Sequence, residues 1–204
     1  MIVPPAVIFL WSGYRVFDST WHQELDDLAR ALVGGFIGGA LAAFLEETVF
    51  RGVFLAALSR SVGTVAAMVV TSGLYALCHF LRTDFDVADP RFGSGFEALL
   101  LSPGPLSHPA QWWDSFAGLF ALGLLLSLVR LRSGSLLPCI ALHASWIFFL
   151  RVYKEMTGRD ITSEWSWLVG GHDNFTGVVV AGWLMVLIAL YLWFSRANPG
   201  PAWR

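Results

Sequence analysis

Long runs of apolar residues separated by short polar stretches recur along the 204-residue chain. The runs lack the regular alternation of apolar and polar residues that marks the strands of a membrane barrel, and most are long enough to form a helix. We therefore predict an all-α fold, a polytopic bundle of transmembrane helices with about six membrane segments. These segments are expected at about residues 2–14, 29–58, 62–82, 115–130, 134–153 and 175–194.

The second segment differs from the others in its length and its glycines. It would be about 45 Å long at about 1.5 Å per residue, which exceeds the roughly 30 Å of a hydrocarbon core. We expect it to protrude from the bilayer or to bend near Gly52. Its first half contains the pairs Gly34/Gly38 and Gly35/Gly39. This small-xxx-small spacing permits the close approach of a neighbouring helix.

The connections between segments differ in length and charge. Residues 83–114 and 154–174 are predicted to be surface loops. The loops after segments two and four are short and basic, with Arg60, Arg130 and Arg132. By the positive-inside rule, this short-loop end is expected to face the cytoplasm.

Composition supports a membrane protein. Hydrophobic residues make up 56% of the chain and mean hydropathy is +0.62, while 14% of residues are charged, against roughly 25% in a soluble domain. The length predicts one domain over residues 1–204, with its core at about 30–194. The net charge of −2 argues against nucleic acid as a partner. Cys78 and Cys139 have no CxxC spacing, so we expect no disulfide framework.

Five ionisable side chains fall inside the predicted spans: Glu46, Glu47, Arg51, His79 and His143. An ionisable group at membrane depth indicates function by default. Glu47 and Arg51 are four residues apart, so they share a helix face and can form a salt bridge. Glu46 is rotated by about 100° and can face another partner. The structural alternative is a buried ion network that only fixes helix packing, with each histidine bonded to a backbone carbonyl.

Three of these groups are expected at similar depth. Counted from the short-loop end, Glu46, His79 and His143 fall within about two helical turns of one another, which predicts a shared polar cavity. A carboxylate in such a cavity is suited to accept and return protons. One imidazole can position the attacking water and the other can stabilise an oxyanion. The set therefore indicates hydrolysis without a covalent nucleophile, since no serine pairs with histidine and aspartate as a triad.

The same residues occur in the order of known family motifs. The run EETVFR, which begins at Glu46, matches the motif EExxxR. Tyr75-x-x-x-His79 resembles FxxxH, and His143 matches the histidine that opens HxxxN or HxxxD. Over residues 30–194, the chain thus resembles the CAAX-protease and bacteriocin-processing (CPBP) family of intramembrane glutamic endopeptidases, the Ras-converting-enzyme type.

The resemblance implies a role for each matched residue. Glu46 would activate the hydrolytic water, and His79 would help to position it. Glu47 and Arg51 would shape and support the site, and His143 would stand at the oxyanion position.

Two positions depart from the family pattern. Tyr75 stands where the second motif has Phe, and Ile147 stands where the third has Asn or Asp. The amide donor to the oxyanion is therefore missing, and the indole N–H of Trp146 is a candidate substitute. Tyr75 and Trp146 are accordingly expected to contact the substrate. The run LHASWIF resembles a bacterial variant of the motif, similar to members associated with exosortase sorting systems.

The resemblance implies an intramembrane endopeptidase that cleaves a membrane-anchored or lipid-modified protein in a bacterial inner membrane. Its partners would be that protein substrate and the lipid bilayer, with no cofactor. The alternative is a non-catalytic membrane binding or immunity protein that retains the fold, which Ile147 slightly favours. A transporter would normally show broken helices or internal repeats, and no repeat is apparent.

A zinc site is a further alternative. Glu46, His79 and His143 provide three ligands, and Cys139 lies one turn before His143. We expect no metal, because both cysteines fit small apolar packing positions.

Overall fold

Helices dominate the structure, which is a computed structural model describing residues 1–18, 25–80 and 112–195. Its α-helices, α1 to α7 in chain order, are Val3–Trp11, Leu25–Glu47, Leu55–Val62, Thr64–Cys78, Trp113–Ser133, Leu137–Met156 and Val178–Phe194. A π-helical stretch, Thr48–Phe54, joins α2 to α3 without a break, and Ser166–Leu168 forms a short 3-10 helix. Six helical stretches therefore correspond to the six predicted segments, and the all-α class is confirmed.

Two of the described helical stretches are long and apolar enough to cross a membrane, Asp26–Val62 and Trp113–Ser133. Thr64–Cys78 and Val178–Phe194 are also apolar but shorter. Phe36 and Leu45 on α2 are 69% and 62% exposed. Such an apolar outer surface is expected where lipid replaces water around a helix. The fold is therefore a membrane helix bundle.

Around Gly52, where a bend was expected, the helix continues as the π-helical stretch. It begins directly after Glu47 and contains both Arg51 and Gly52. A Cβ atom at position 52 would lie 3.3 Å from the side chain of Leu136, so glycine keeps this contact open. Single-turn π-bulges inside α-helices are frequently found at functional sites.

The glycine-rich half of α2 packs against α6, as the small-xxx-small spacing predicts. A Cβ at Gly39 would lie 3.2 Å from the carbonyl oxygen of Ala144 and 3.3 Å from the side chain of Ile147. Gly35 similarly faces Phe148, at 3.5 Å. Gly38, in contrast, has no neighbour within 4 Å among the described residues and does not take part in the contact. This close approach fixes α6, which carries His143, against α2.

Different contacts hold the two ends of the bundle together. At the short-loop end, Arg132 donates a hydrogen bond of 3.2 Å to the carbonyl oxygen of Ser195, which joins the ends of α5 and α7. At the other end, strands β1 (Arg15–Phe17) and β2 (Thr157–Arg159) form an antiparallel ladder. The Arg15 guanidinium donates to the carbonyl oxygen of Thr157 at 2.9 Å and stabilises this ladder.

The predicted loops are only partly confirmed. The loop predicted at 154–174 begins later, because α6 continues to Met156 and is followed directly by β2. A strand this short has weak sequence signals, and its pairing partner is about 140 residues away. The loop predicted at 83–114 lies outside the described residues up to position 111, and α5 begins at Trp113.

Candidate active site

Glu47 is the anchor of a buried ionic cluster. Its Oε1 atom accepts a hydrogen bond of 3.0 Å from Arg51 Nη1 and one of 2.9 Å from His143 Nδ1. The exposed fractions of the three side chains are 0%, 1% and 3%. Paired charges of this kind are tolerated in a low-dielectric interior because each charge offsets part of the other's burial cost. The predicted salt bridge is present, and it extends to the histidine on α6.

Arg51 also reaches a third helix through a residue that the sequence analysis missed. Its Nη2 atom donates to the carbonyl oxygen of Gly123 on α5 at 3.2 Å. A Cβ at Gly123 would lie 2.9 Å from the Cβ of Ser72, so α4 and α5 can approach this closely only at a glycine. A sequence does not show which backbone carbonyl accepts a hydrogen bond. The one available indication of this contact was a glycine within an apolar span.

His143 is oriented by this cluster. Because Nδ1 contacts Glu47, the ring directs Nε2 towards two further groups. The Tyr75 hydroxyl oxygen is 3.4 Å from Nε2, and Glu46 Oε2 is 3.9 Å from the same nitrogen. The structure thus brings Glu46 and His143 together, as the similar depths predicted.

Tyr75 lies at the centre of the site. Its side chain is 1% exposed, and the Arg51 guanidinium lies 4.5 Å from the centre of its ring. The rings of His79 and His143 approach it edge-on, with centroids 4.7 Å and 6.0 Å away. An aromatic side chain enclosed in this way is held in one orientation, so its hydroxyl is fixed beside His143.

His79 is held by a backbone contact. Its Nδ1 atom is 2.9 Å from the carbonyl oxygen of Tyr75, one helical turn earlier. The carbonyl can only accept, so Nδ1 carries the proton and Nε2 of the neutral ring has a free lone pair. A histidine with a purely structural role would make the same contact with a backbone carbonyl. The contact also leaves Nε2 able to accept a hydrogen bond from water. The side chain is half-buried beside Tyr75.

Glu46 points away from Arg51, as its rotation on the helix predicted. The side chain is 33% exposed, whereas the neighbouring Glu47 is fully buried. Its Oε2 atom is buried and has no hydrogen-bond partner within the described chain. A buried carboxylate oxygen without a donor is costly, so it marks a place where a water molecule or substrate group would bind.

Trp146 and Ile147 lie in apolar contacts outside the ionic cluster. Trp146 is buried in the hydrophobic core, and its ring meets that of Phe175 edge-on with centroids 6.1 Å apart. Ile147 faces Gly39 in the contact between α2 and α6.

Both cysteines are free thiols and form no disulfide with each other. The Cys139 thiol is buried and donates to the carbonyl oxygen of Leu126 at 3.3 Å, while Cys78 is exposed. Within residues 1–18, 25–80 and 112–195, no three His, Cys, Asp or Glu side chains are arranged as a set that could hold a metal ion.

These features define a helical membrane protein with a buried carboxylate–imidazole site. A family model described as type II CAAX prenyl endopeptidase Rce1-like matches residues 28–149, more than half of the chain. Searches of curated proteins and of solved structures each return no significant match. The chain belongs to this Rce1-like family and is a membrane-embedded protease of the CAAX type.

Proposed function

We propose that the protein is an intramembrane glutamic endopeptidase in which Glu46 is the general base. The proposal rests on one observation: two polar groups lie close to His143 Nε2. The Tyr75 hydroxyl is 3.4 Å from this nitrogen and Glu46 Oε2 is 3.9 Å from it. The substrate would be a membrane-anchored or lipid-modified protein, and the location a bacterial inner membrane. Residues 1–204 would form one protease domain.

Water activation is assigned to Glu46 and His79. The unpartnered Oε2 atom of Glu46 accepts a proton from water while the water oxygen attacks the carbonyl carbon of the scissile peptide bond. His79 accepts a hydrogen bond from the same water through Nε2, because Nδ1 is engaged by the Tyr75 carbonyl.

His143 lies between the two carboxylates of the cluster, with Nδ1 2.9 Å from Glu47 Oε1 and Nε2 3.9 Å from Glu46 Oε2. It donates through Nδ1 to Glu47, and Nε2 faces the position assigned to the oxyanion. Glu47 and Arg51 act as positioning residues, because they hold this ring without contacting the substrate.

Tyr75 is the second oxyanion donor in this mechanism. Its hydroxyl lies beside His143 Nε2, whereas Trp146 packs against Phe175 in the core. We therefore assign to Tyr75 the donor function that Ile147 cannot supply. When the tetrahedral intermediate collapses, the carbon–nitrogen bond breaks and Glu46 returns its proton to the leaving amine. The products are a carboxylic acid and an amine, and transfer of the acid proton to the amine gives a carboxylate and an ammonium group, so atoms and charges balance.

A comparison of membrane-protein termini tests the proposal. Host cells would carry the wild type, Glu46→Gln or the matched control Glu164→Gln, which makes the same change at an exposed loop position. Mass spectrometry should find new termini with the wild type and the control but none with Glu46→Gln. Identical termini with Glu46→Gln, in a variant that is folded and expressed, would exclude the glutamic mechanism.

The second candidate function is a non-catalytic membrane binding or immunity protein, which the loss of an amide at Ile147 favours. The same three strains separate the two candidates. A binding protein would keep its biological effect after Glu46→Gln and would generate no new termini in any strain.

A further inference from the structure

A second polar cavity lies at the short-loop end of the bundle, formed where α3, α4 and α5 meet. Its volume is about 210 Å³, enough for roughly seven water molecules at about 30 Å³ each. The polar residues that line it are Arg51, Ser59, Arg60, Thr64 and Arg130. None of its lining residues, all of which are described, is acidic, and the lining includes neither Glu46 nor a histidine.

The cavity lining combines several groups that attract anions. Arg60 is exposed and has no hydrogen-bond or ion-pair partner in the described ranges. Arg51 is 1% exposed, and its Nε atom is buried and has no hydrogen-bond partner among the described residues. Helix α4 begins at Thr64 with no side chain capping its first turn, so its first backbone N–H groups add positive potential. Positive charge and hydrogen-bond donors therefore converge on one partly open cavity.

We propose that this cavity binds a phosphate group. Guanidinium groups match the geometry of phosphate oxygens, which they bind by paired hydrogen bonds. Hydroxyls of Ser59 and Thr64 add donors of the kind found in phosphate sites. Because the cavity is at the end of the bundle, the phosphate can come from the headgroup of an anionic phospholipid or from a soluble phosphate compound.

The site is distinct from the catalytic cluster but shares one side chain with it. Arg51 lines the cavity and also binds Glu47, which orients His143. Phosphate binding does not require the general base, so Glu46→Gln should bind phosphate as tightly as the wild type. The binding experiment thus gives a result that is independent of whether the protein cleaves peptides.

The test uses the purified full chain and two phosphate probes. In the first arm, inorganic phosphate is titrated into protein in zwitterionic micelles, with chloride at equal ionic strength as the reference, and the thermal midpoint reports binding. In the second arm, native mass spectrometry counts phosphatidylglycerol retained from nanodiscs that also contain phosphatidylcholine. Both arms compare the wild type with Arg60→Gln and Arg130→Gln. Arg132→Gln is the matched control, because it removes an arginine that is in the last turn of α5, as Arg130 is, but does not line the cavity.

Saturable binding of at least one probe is expected for the wild type. Arg60→Gln and Arg130→Gln should each weaken it about tenfold, the usual effect of losing one charged hydrogen bond, while Arg132→Gln changes it less than about twofold. Arg60 is exposed, so its variant should fold normally. Saturation by inorganic phosphate identifies a soluble ligand, and retention of the lipid alone identifies a headgroup. Failure of both probes to bind, or an equal loss with Arg132→Gln, would overturn the proposal.

Discussion

Replacing Tyr75 with phenylalanine tests the least expected part of the proposed mechanism. The change removes one oxygen atom and leaves the enclosed aromatic ring in place. Within the part of the chain that the structure describes, this oxygen makes one hydrogen bond, to His143 Nε2 at 3.4 Å. Its loss should lower the free energy of unfolding by only about 0.5–1.5 kcal/mol, the usual net value of such a bond.

The effect on catalysis should be larger. Loss of one oxyanion donor typically lowers kcat by about 10²–10³, or about 2.7–4 kcal/mol of transition-state stabilisation. Since His143 would still supply the other donor, we expect the lower end, a fall in kcat of about a hundredfold. KM should change little, because the interaction is formed only in the transition state.

The assay would follow cleavage of the host protein identified from its new terminus, with purified enzyme in nanodiscs. Tyr153→Phe is the matched control, since it also deletes a hydroxyl with one hydrogen bond, to the carbonyl oxygen of Ala6 at 3.0 Å. The control should lose similar stability and no activity. If Tyr75→Phe keeps kcat within about twofold of the wild type, the hydroxyl is not an oxyanion donor. A raised KM at constant kcat would instead indicate ground-state substrate binding.

Two further variants probe the helix contacts that hold the site together. Gly39→Ala should lower the free energy of unfolding by about 1–3 kcal/mol, because the added methyl group overpacks against the Ala144 carbonyl oxygen. The control Gly38→Ala, in open space, should raise it by about 0.5–1 kcal/mol. Equal thermal midpoints for the two variants would show that α2 and α6 are not in close contact. Arg51→Met should cost about 3–5 kcal/mol and abolish cleavage, because Glu47 loses its buried cation. A midpoint as high as that of the control Arg132→Met would contradict the ionic cluster.

Local geometry made much of the site predictable from the sequence. Glu47 and Arg51 are four residues apart on one helix, and that spacing alone predicts their salt bridge. The different direction of Glu46 follows from the same helical period. Depth in the bilayer also placed His143 near Glu46, because a helix advances by a constant rise per residue and the loops fix its starting level.

Other features depend on contacts between distant parts of the chain. The bond from His143 to Glu47 needs the rotation of α6 about its axis, which the Gly39 contact with α2 sets and no single segment determines. Arg51 donates to the backbone carbonyl of Gly123, and every residue type has such a carbonyl. The identity of residue 123 therefore carries no information about that hydrogen bond. The π-helical stretch gives no periodic signal either, since seven residues are too few to separate its period from that of an α-helix.

The two departures from the family motifs are best understood as one exchange. Ile147 removes a polar group from α6, and Tyr75 adds a hydroxyl on α4 that reaches the same histidine ring. The new donor is also coupled to the second imidazole, because the backbone carbonyl of Tyr75 accepts the Nδ1 proton of His79. One residue thereby fixes the relative positions of the two histidines assigned to water and oxyanion. Ile147 in turn packs on Gly39, where an amide would have to bury polar atoms in the contact between α2 and α6. In the proposed mechanism, a donor on α4 supplies the oxyanion position while the contact between α2 and α6 stays apolar.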